Sequence, residues 1–268
     1  MDMHRQWVRS GRTLVAAVSA GALAAGLSIF LPVPPASASV RYGHVVLALR
    51  PFAYWRLGEQ SGTTAHDSSP RHHNGFYKGK PALGKPGAIK DDPNTSVGFD
   101  ARDDYMAWGP SFGYRGPFTV VAWIDKTRST GNVWQTFFDT RNVNAEYSFD
   151  FKLSARRLFV DVGDGKRWFV AGPGIRHTFK LRTWYQVAAV ARSTRVTLYV
   201  NGKPIGSEPY PRGAAKPMLF NRTHPVYLGT NARYGTEWFR GRIDEVAVFL
   251  RPLASRQIAR LYHAGTAS

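Results

Sequence analysis

Phe118-Thr-Val-Val-Ala-Trp-Ile124 constrains this chain more than any other segment: it is apolar at odd and even positions alike and rich in β-branched and aromatic side chains. A run this short suits a strand covered on both faces, because a buried helix needs more length. Trp184–Ala191 and Ile243–Phe249 read in the same way. Elsewhere the apolar runs alternate. Tyr147, Phe149, Phe151 and Leu153 interleave with Ser148, Asp150 and Lys152, which predicts one buried face and one polar face. Two hairpins are marked by their turns. Leu158–Val162 passes through Gly163-Asp164-Gly165 into Trp168–Ala171, and Val196–Val200 ends at Asn201-Gly202, a pair that tolerates the positive φ angles of a type I′ turn. Only the C-terminus reads as helix, with Ile258, Leu261 and Tyr262 at i, i+3 and i+4, Ser255 as N-cap and Gly265 as the C′ glycine. The pattern predicts an all-β protein of two stacked antiparallel sheets with one short C-terminal helix.

The N-terminus has a different character. Arg5, Arg9 and Arg12 precede the apolar stretch Leu14–Leu31, which is followed by Pro32, Pro34, Pro35 and the small-residue triplet Ala36-Ser37-Ala38. That order predicts a secretory signal peptide over residues 1–38, cleaved after Ala38. An uncleaved anchor is the alternative, since the stretch is near the lower limit for spanning a bilayer. No Arg-Arg pair precedes it, which favours the general secretory route. Residues 39–51 read as a short lead-in and 52–268 as one domain. Within it, Gly58–Gly75 and Lys78–Asn94 are turn-rich loops rather than linkers.

The chain contains no cysteine, which excludes thiolate catalysis and cysteine metal sites. Beyond residue 38 it carries 33 basic and 17 acidic residues, a formal charge of +16, and 26 of the 36 basic residues in the whole chain are arginine. This excess predicts attraction to polyanions such as acidic polysaccharide, an anionic cell-envelope polymer, a membrane surface or nucleic acid, although it also serves solubility. The charge is dispersed. Pairs such as Arg156-Arg157 occur but no basic run of five or more, so nothing reads as a nucleic-acid arm.

Several blocks occur in a telling order. They are Tyr54-Trp-Arg-Leu-Gly-Glu59 with Ser61-Gly-Thr-Thr-Ala65, Asp67-Ser-Ser69, Asn74-Gly75, Phe99-Asp100 and Asp104-Tyr105. Then come Phe118 to Trp123, Trp184-Tyr-Gln-Val-Ala188, Leu198-Tyr-Val-Asn-Gly202 and Phe239-Arg-Gly-Arg-Ile-Asp-Glu-Val246. Together they resemble the laminin-G-like family of the concanavalin A-like lectin/glucanase superfamily, over roughly residues 52 to 265. The resemblance implies a jelly-roll sandwich with a short helix closing one end. It does not settle function, because that superfamily holds lectins, carbohydrate-binding modules, adhesion modules and glycoside hydrolases.

A glycosidase needs two carboxylates across one cleft. The catalytic relatives carry Glu-x-Asp-x-x-Glu on a strand, and that pattern is absent here. The glutamates beyond residue 38 are Glu59, Glu146, Glu208, Glu237 and Glu245, and none pairs at that spacing. The chain is therefore expected to have no catalytic residues. His66-Asp67-Ser68 is only a sequence neighbourhood, and a triad is defined by spatial roles. His72-His73 reads as a pair of solvated loop histidines. The ligand face is expected on the polar side of two neighbouring strands: Asp150 with Lys152, and Arg157 with Phe159 and Asp161. Trp134 and Trp168 stand near strand ends beside them. Sugar rings stack on such aromatics while carboxylates and arginines bond their hydroxyls.

Asp67 and Asp244 are the candidate metal ligands. Asp244 is expected on the same face as Val246 and Val248, where a buried carboxylate requires hydrogen bonds or a cation. The resemblance implies that some members hold a structural Ca²⁺ here, and calcium wants six to eight oxygens. Asp67 and Asp244, with Asn74, supply few. The other reading stays open: Asp67 caps its loop and Asp244 bonds backbone amides. Two functions follow. One is a secreted, non-catalytic module that binds a glycan or cell-envelope polymer; the other is a cell-envelope structural or protein-interaction domain that binds no sugar.

Overall fold

The computed structural model describes residues 38–267 apart from 111, 130, 132, 142–146, 223 and 232–236, with side chains from Tyr42 onward. Nearly all of the expected signal segment lies outside the described residues. The described residues all belong to one compact body.

Two large antiparallel sheets make the body. In the first, the neighbours run Lys203–Pro209, Arg195–Val200, Trp184–Ala191, Phe118–Lys126, Arg240–Phe249, Thr95–Asp100 and Ala82–Pro86, with Ala53–Trp55 also paired to Arg240–Phe249. The three strands that read as apolar on both faces are adjacent at its centre. Their two faces have two destinations. Val120, Ala122, Ile124, Val187, Ala189, Val246 and Val248 enter the core between the sheets. Val121, Trp123, Ala188, Val190, Ala247 and Phe249 join a second apolar layer under two helices.

Both helices build that second layer. The C-terminal one, Ser255–Thr266, buries Ile258, Leu261 and Ala264 as its periodicity requires. Its cap differs from the sequence reading. Ala254 is the N-cap, its N–H donated to Gln257 Oε1 at 2.8 Å. Gly265 lies inside the helix, where an added Cβ would sit 2.6 Å from Trp123 Cζ2. Closeness of approach, not a left-handed cap, requires glycine there. The other helix, Ala38–Ala48, was not foreseen; residues 39–51 read as a lead-in. Tyr42 and Val46 are buried, and Trp123 donates its indole N–H to Tyr42 Oη at 3.0 Å. Tyr42, Val45, Val46 and Leu49 do recur at i, i+3, i+4 and i+7, a helical signal that the lead-in reading passed over, and burial on the sheet supplies the stabilisation that so short a helix lacks alone.

The second sheet runs Trp168–Ala171, Arg157–Gly163, Phe149–Leu153, Gln135–Asp139, Val226–Leu228, Tyr105–Trp108, Gly75–Lys78 and Thr64–Ala65, with Ile175–Arg176 also on Arg157–Gly163. Both marked hairpins form as read. Asn201 and Gly202 have φ angles of 49° and 76°, as the I′ turn demands. Phe149, Phe151, Leu153, Leu158, Val160 and Val162 face the first sheet. The opposite face is left for polar groups.

Candidate functional site

Strand register builds a row of carboxylates across that opposite face. Asp139 pairs with Asp150, and Asp150 with Asp161. Like charges directly opposite in a sheet repel, and here all three are buried, with Asp139 and Asp150 fully so. The sequence reading of one buried and one polar face on Phe149–Leu153 is corrected in one respect: the polar face is buried too, with Asp150 and Lys152 as enclosed as the phenylalanines between them.

Two cations answer the row. Lys152 Nζ donates to Asp161 Oδ2 at 2.7 Å and lies 3.5 Å from Asp150 Oδ2. Arg141 Nε lies 2.8 Å from Asp150 Oδ2 and 3.5 Å from Asp139 Oδ1, and its Nη2 is 3.8 Å from Glu237 Oε2. Both cations also lie over tryptophans, Lys152 Nζ 4.2 Å from the Trp134 ring centre and Arg141 Cζ 5.5 Å from that of Trp168. Phe159 packs against Trp134 at 5.5 Å. Trp134 is 42% exposed and forms the outermost wall. Glu237 is tied down by Thr136 Oγ1 at 2.7 Å.

Burial, then the charge of Asp150, holds the Asp139 carboxyl well above the usual carboxylate range. Burial, then Asp161, pushes Asp150 up to about 6. Burial alone would lower Lys152, but the carboxylates of Asp150, Asp161 and Glu237 more than reverse it. Asp139 Oδ2 and Asp150 Oδ1 are buried acceptors without a hydrogen-bond partner.

Of the expected ligand residues, Trp134, Asp150, Phe159, Asp161 and Trp168 come together. Arg157 does not join them. Its Nη1 donates to the carbonyls of Pro173 and Gly174 at 3.0 and 2.8 Å, pinning that loop. Asp139, Arg141 and Glu237 escaped the sequence reading. A β-bulge lets Phe137 and Phe138 both enter the core, so parity counted along Gln135–Asp139 points the wrong way. Glu237 is brought in by tertiary structure alone.

Among the described residues, Asp67 and Asp244 share no hydrogen-bond partner. Asp67 Oδ1 accepts from the N–H of Tyr54 and Ser69 at 2.7 and 2.8 Å, and its Oδ2 from Ser69 Oγ and His73 N–H at 2.7 and 2.8 Å. Those four donors occupy the lone-pair directions a calcium ion would use, so this arrangement does not fit a shared ion. Asp244 departs from its expected face. A bulge between Asp244 and Ala247, with Glu245 at φ 52°, places it opposite Trp123, and Val246 and Val248 turn the other way. Asp244 Oδ2 accepts the Ala88 N–H at 2.7 Å. Glu245 beside it accepts from Tyr54 Oη and from Arg56 Nε and Nη2 at 3.0 and 2.8 Å, and Arg56 reaches Asp92 at 2.8 Å. Asn74 serves Asp67 only by accepting its backbone N–H. His72 is exposed as expected, but His73 is half-buried, its ring 4.6 Å from Phe52 and 4.8 Å from Trp108.

Among solved structures, the chain is similar to the binding domain of Paraclostridial Mosquitocidal Protein 1, with a TM-score of 0.62 and 15% identity over 81% of this chain and 53% of that one. It is also similar to the binding domain of Botulinum Neurotoxin DC in complex with SialylT, with a TM-score of 0.60 and 10% identity over 81% and 52%. The chain thus spans about half the length of these two. Domain 4 of AbnA, a GH43 extracellular arabinanase from Geobacillus stearothermophilus in complex with arabinotriose, matches with a TM-score of 0.54 and 16% identity over 80% of this chain and 98% of that one. At such identities the likeness shows the fold. No curated protein matches the chain. A laminin G family model, described as concanavalin A-like lectin/glucanases superfamily, matches residues 100–259. On that match and on its two-sheet frame, the chain belongs to the concanavalin A-like lectin/glucanases superfamily.

Proposed function

We propose that this chain is an exported, non-catalytic carbohydrate-binding module whose ligand lies on the outer face of the second sheet. The observation that carries the reading is the exposed Trp134 and the half-buried Trp168 standing beside Asp161 and Glu237, the carboxylates of the row that keep some exposure. Aromatic faces take the apolar side of a sugar ring, and fixed acceptors take its hydroxyl protons. The complexes of the structural relatives with SialylT and arabinotriose support the class of ligand. The four carboxylates bear on catalysis as well. All four are held by Lys152 or Arg141 within a closed ion-pair network, unlike a pair that faces across a cleft with room for a sugar.

A glycan array followed by titration calorimetry tests this reading. Saturable binding to an oligosaccharide, weakened about tenfold or more by Trp134→Ala, is the expected result. Release of reducing sugar from that ligand would instead make the module an enzyme.

Export rests on the order of features before residue 39. The described body begins with the helix Ala38–Ala48, so cleavage after Ala38 would leave Tyr42 and Val46 in place. Among the described residues, no helix is long and apolar enough to cross a membrane. N-terminal sequencing of the exported protein should begin at Ser39.

A further inference from the structure

The overall charge of the chain and the charge of its ligand face have opposite signs. Beyond residue 38 the chain carries a formal +16, yet among the described residues of the face Asp150, Asp161 and Glu237 outnumber Arg141 and Lys152 by one even with the Asp139 carboxyl protonated. We infer that the face takes a glycan bearing protonated amino groups, in preference to a neutral or acidic one. This rests on the carbohydrate-binding reading above and specifies the ligand it serves.

Three observations carry it. First, the cations are already engaged: Lys152 is held by Asp161, and Arg141 by Asp150 and Asp139. Second, the Asp150 carboxylate is fully buried and its Oδ1 has no donor among the described residues. Negative charge enclosed in this way is weakly screened, so it acts on a ligand at the rim more strongly than a surface carboxylate would. Third, the rim itself is acidic and aromatic. The side chains of Asp161 and Glu237 are 10% and 12% exposed, and Trp134 stands outside them. An ammonium group brings positive charge to the rim, where Asp161 and Glu237 can accept its N–H donors, and Lys152 already shows that a cation sits well against Trp134. A carboxylate or sulfate on the ligand would add to a charge that the site cannot balance.

Calorimetric titration of the whole domain near neutral pH, where an aliphatic amine carries its proton, decides between these cases. The probes are tetramers of glucosamine, N-acetylglucosamine, glucose and galacturonic acid, with tetralysine as a sugar-free cation. The glucosamine tetramer should bind roughly tenfold or more tightly than the others, the worth of one charge-assisted hydrogen bond. Its advantage should shrink in about 1 M salt, where the screening length falls to about 3 Å. Asp161→Asn should erase it, and because the salt titration uses the unaltered chain, the test survives if that variant folds poorly. Equal or tighter binding of the N-acetylated, neutral or acidic tetramers overturns the inference and leaves carbohydrate binding standing. Tetralysine binding as well as the amino sugar overturns the sugar part, since charge alone would suffice. If no oligosaccharide binds, here or on the array, carbohydrate binding falls as well.

Discussion

Asp150 and Asp161 lie directly opposite one another on adjacent antiparallel strands, both buried, with Lys152 between them at 3.5 and 2.7 Å. A sheet can hold such a pair only while the intervening cation stays in place. Lys152→Met keeps the length of the side chain and removes its charge, leaving Asp161 without its close cation and the row with Arg141 alone. It should cost about 3–5 kcal/mol of stability, measured by urea denaturation. A loss below about 1 kcal/mol would mean that the row is protonated or solvated.

Asp150 gives the protein a distinctive pH response. Its carboxyl is raised to about 6 in the folded state by burial and by Asp161, against an ordinary value of about 3.9. Between those values the folded state binds the extra proton, so this group's contribution to stability is full at low pH and is lost as pH rises through about 6. Asp150→Asn mimics the protonated form. It should therefore be more stable than the parent at pH 7 by about 1–3 kcal/mol, with the difference vanishing near pH 4. Melting curves at the two pH values check it; destabilisation by the variant at pH 7 would show that the ion pair with Arg141 outweighs the repulsion.

Arg56 is the counter-charge on the far side of the molecule, donating to Glu245 and Asp92. Arg56→Met leaves fully buried Glu245 beside Asp244, and a loss of about 3–5 kcal/mol is expected. The melting temperature of the variant gives the answer. Little change would mean that Tyr54 Oη and Asn94 Nδ2, which donates to Glu245 Oε1 at 3.3 Å, suffice to hold Glu245.

Gly265→Ala should destabilise by about 1–3 kcal/mol, although alanine is the better helix former by about 1 kcal/mol. The new methyl would stand 2.6 Å from Trp123 Cζ2 and 3.0 Å from Ile89 Cδ1, and the indole is held by Tyr42 and stacked on Tyr262. Chemical denaturation would reveal a net gain if the helix could instead slide away from the sheet.

Asp67 should behave as a loop anchor whether or not calcium is present. Melting in millimolar Ca²⁺ and in chelator is expected to coincide, and Asp67→Ala should cost about 2 kcal/mol or more for its lost hydrogen bonds. A calcium-dependent rise of several degrees that disappears in Asp67→Ala would restore the metal-site reading.

Much of the frame was legible along the chain. Phe118–Ile124, Trp184–Ala191 and Ile243–Phe249 are apolar on both faces because each is covered by a sheet on one side and helices on the other. Asn201-Gly202 marks its turn because few other pairs accept two successive positive φ angles. These are local properties, and local sequence specifies them. Which residues share a face is different, since a bulge adds one residue and reverses the parity of all that follow. Phe137 does this before Asp139, and Glu245 does it after Asp244, so the alternation rule missed one carboxylate and misdirected another. Distance along the chain hid the rest. Thr136 holds Glu237 from 101 positions away, and Tyr42 and Trp123 meet across 81. The strands and turns were determined by the sequence itself through its periodicity; the buried charge row and its ligand face were decided by register and bulges, which only the paired sheets define.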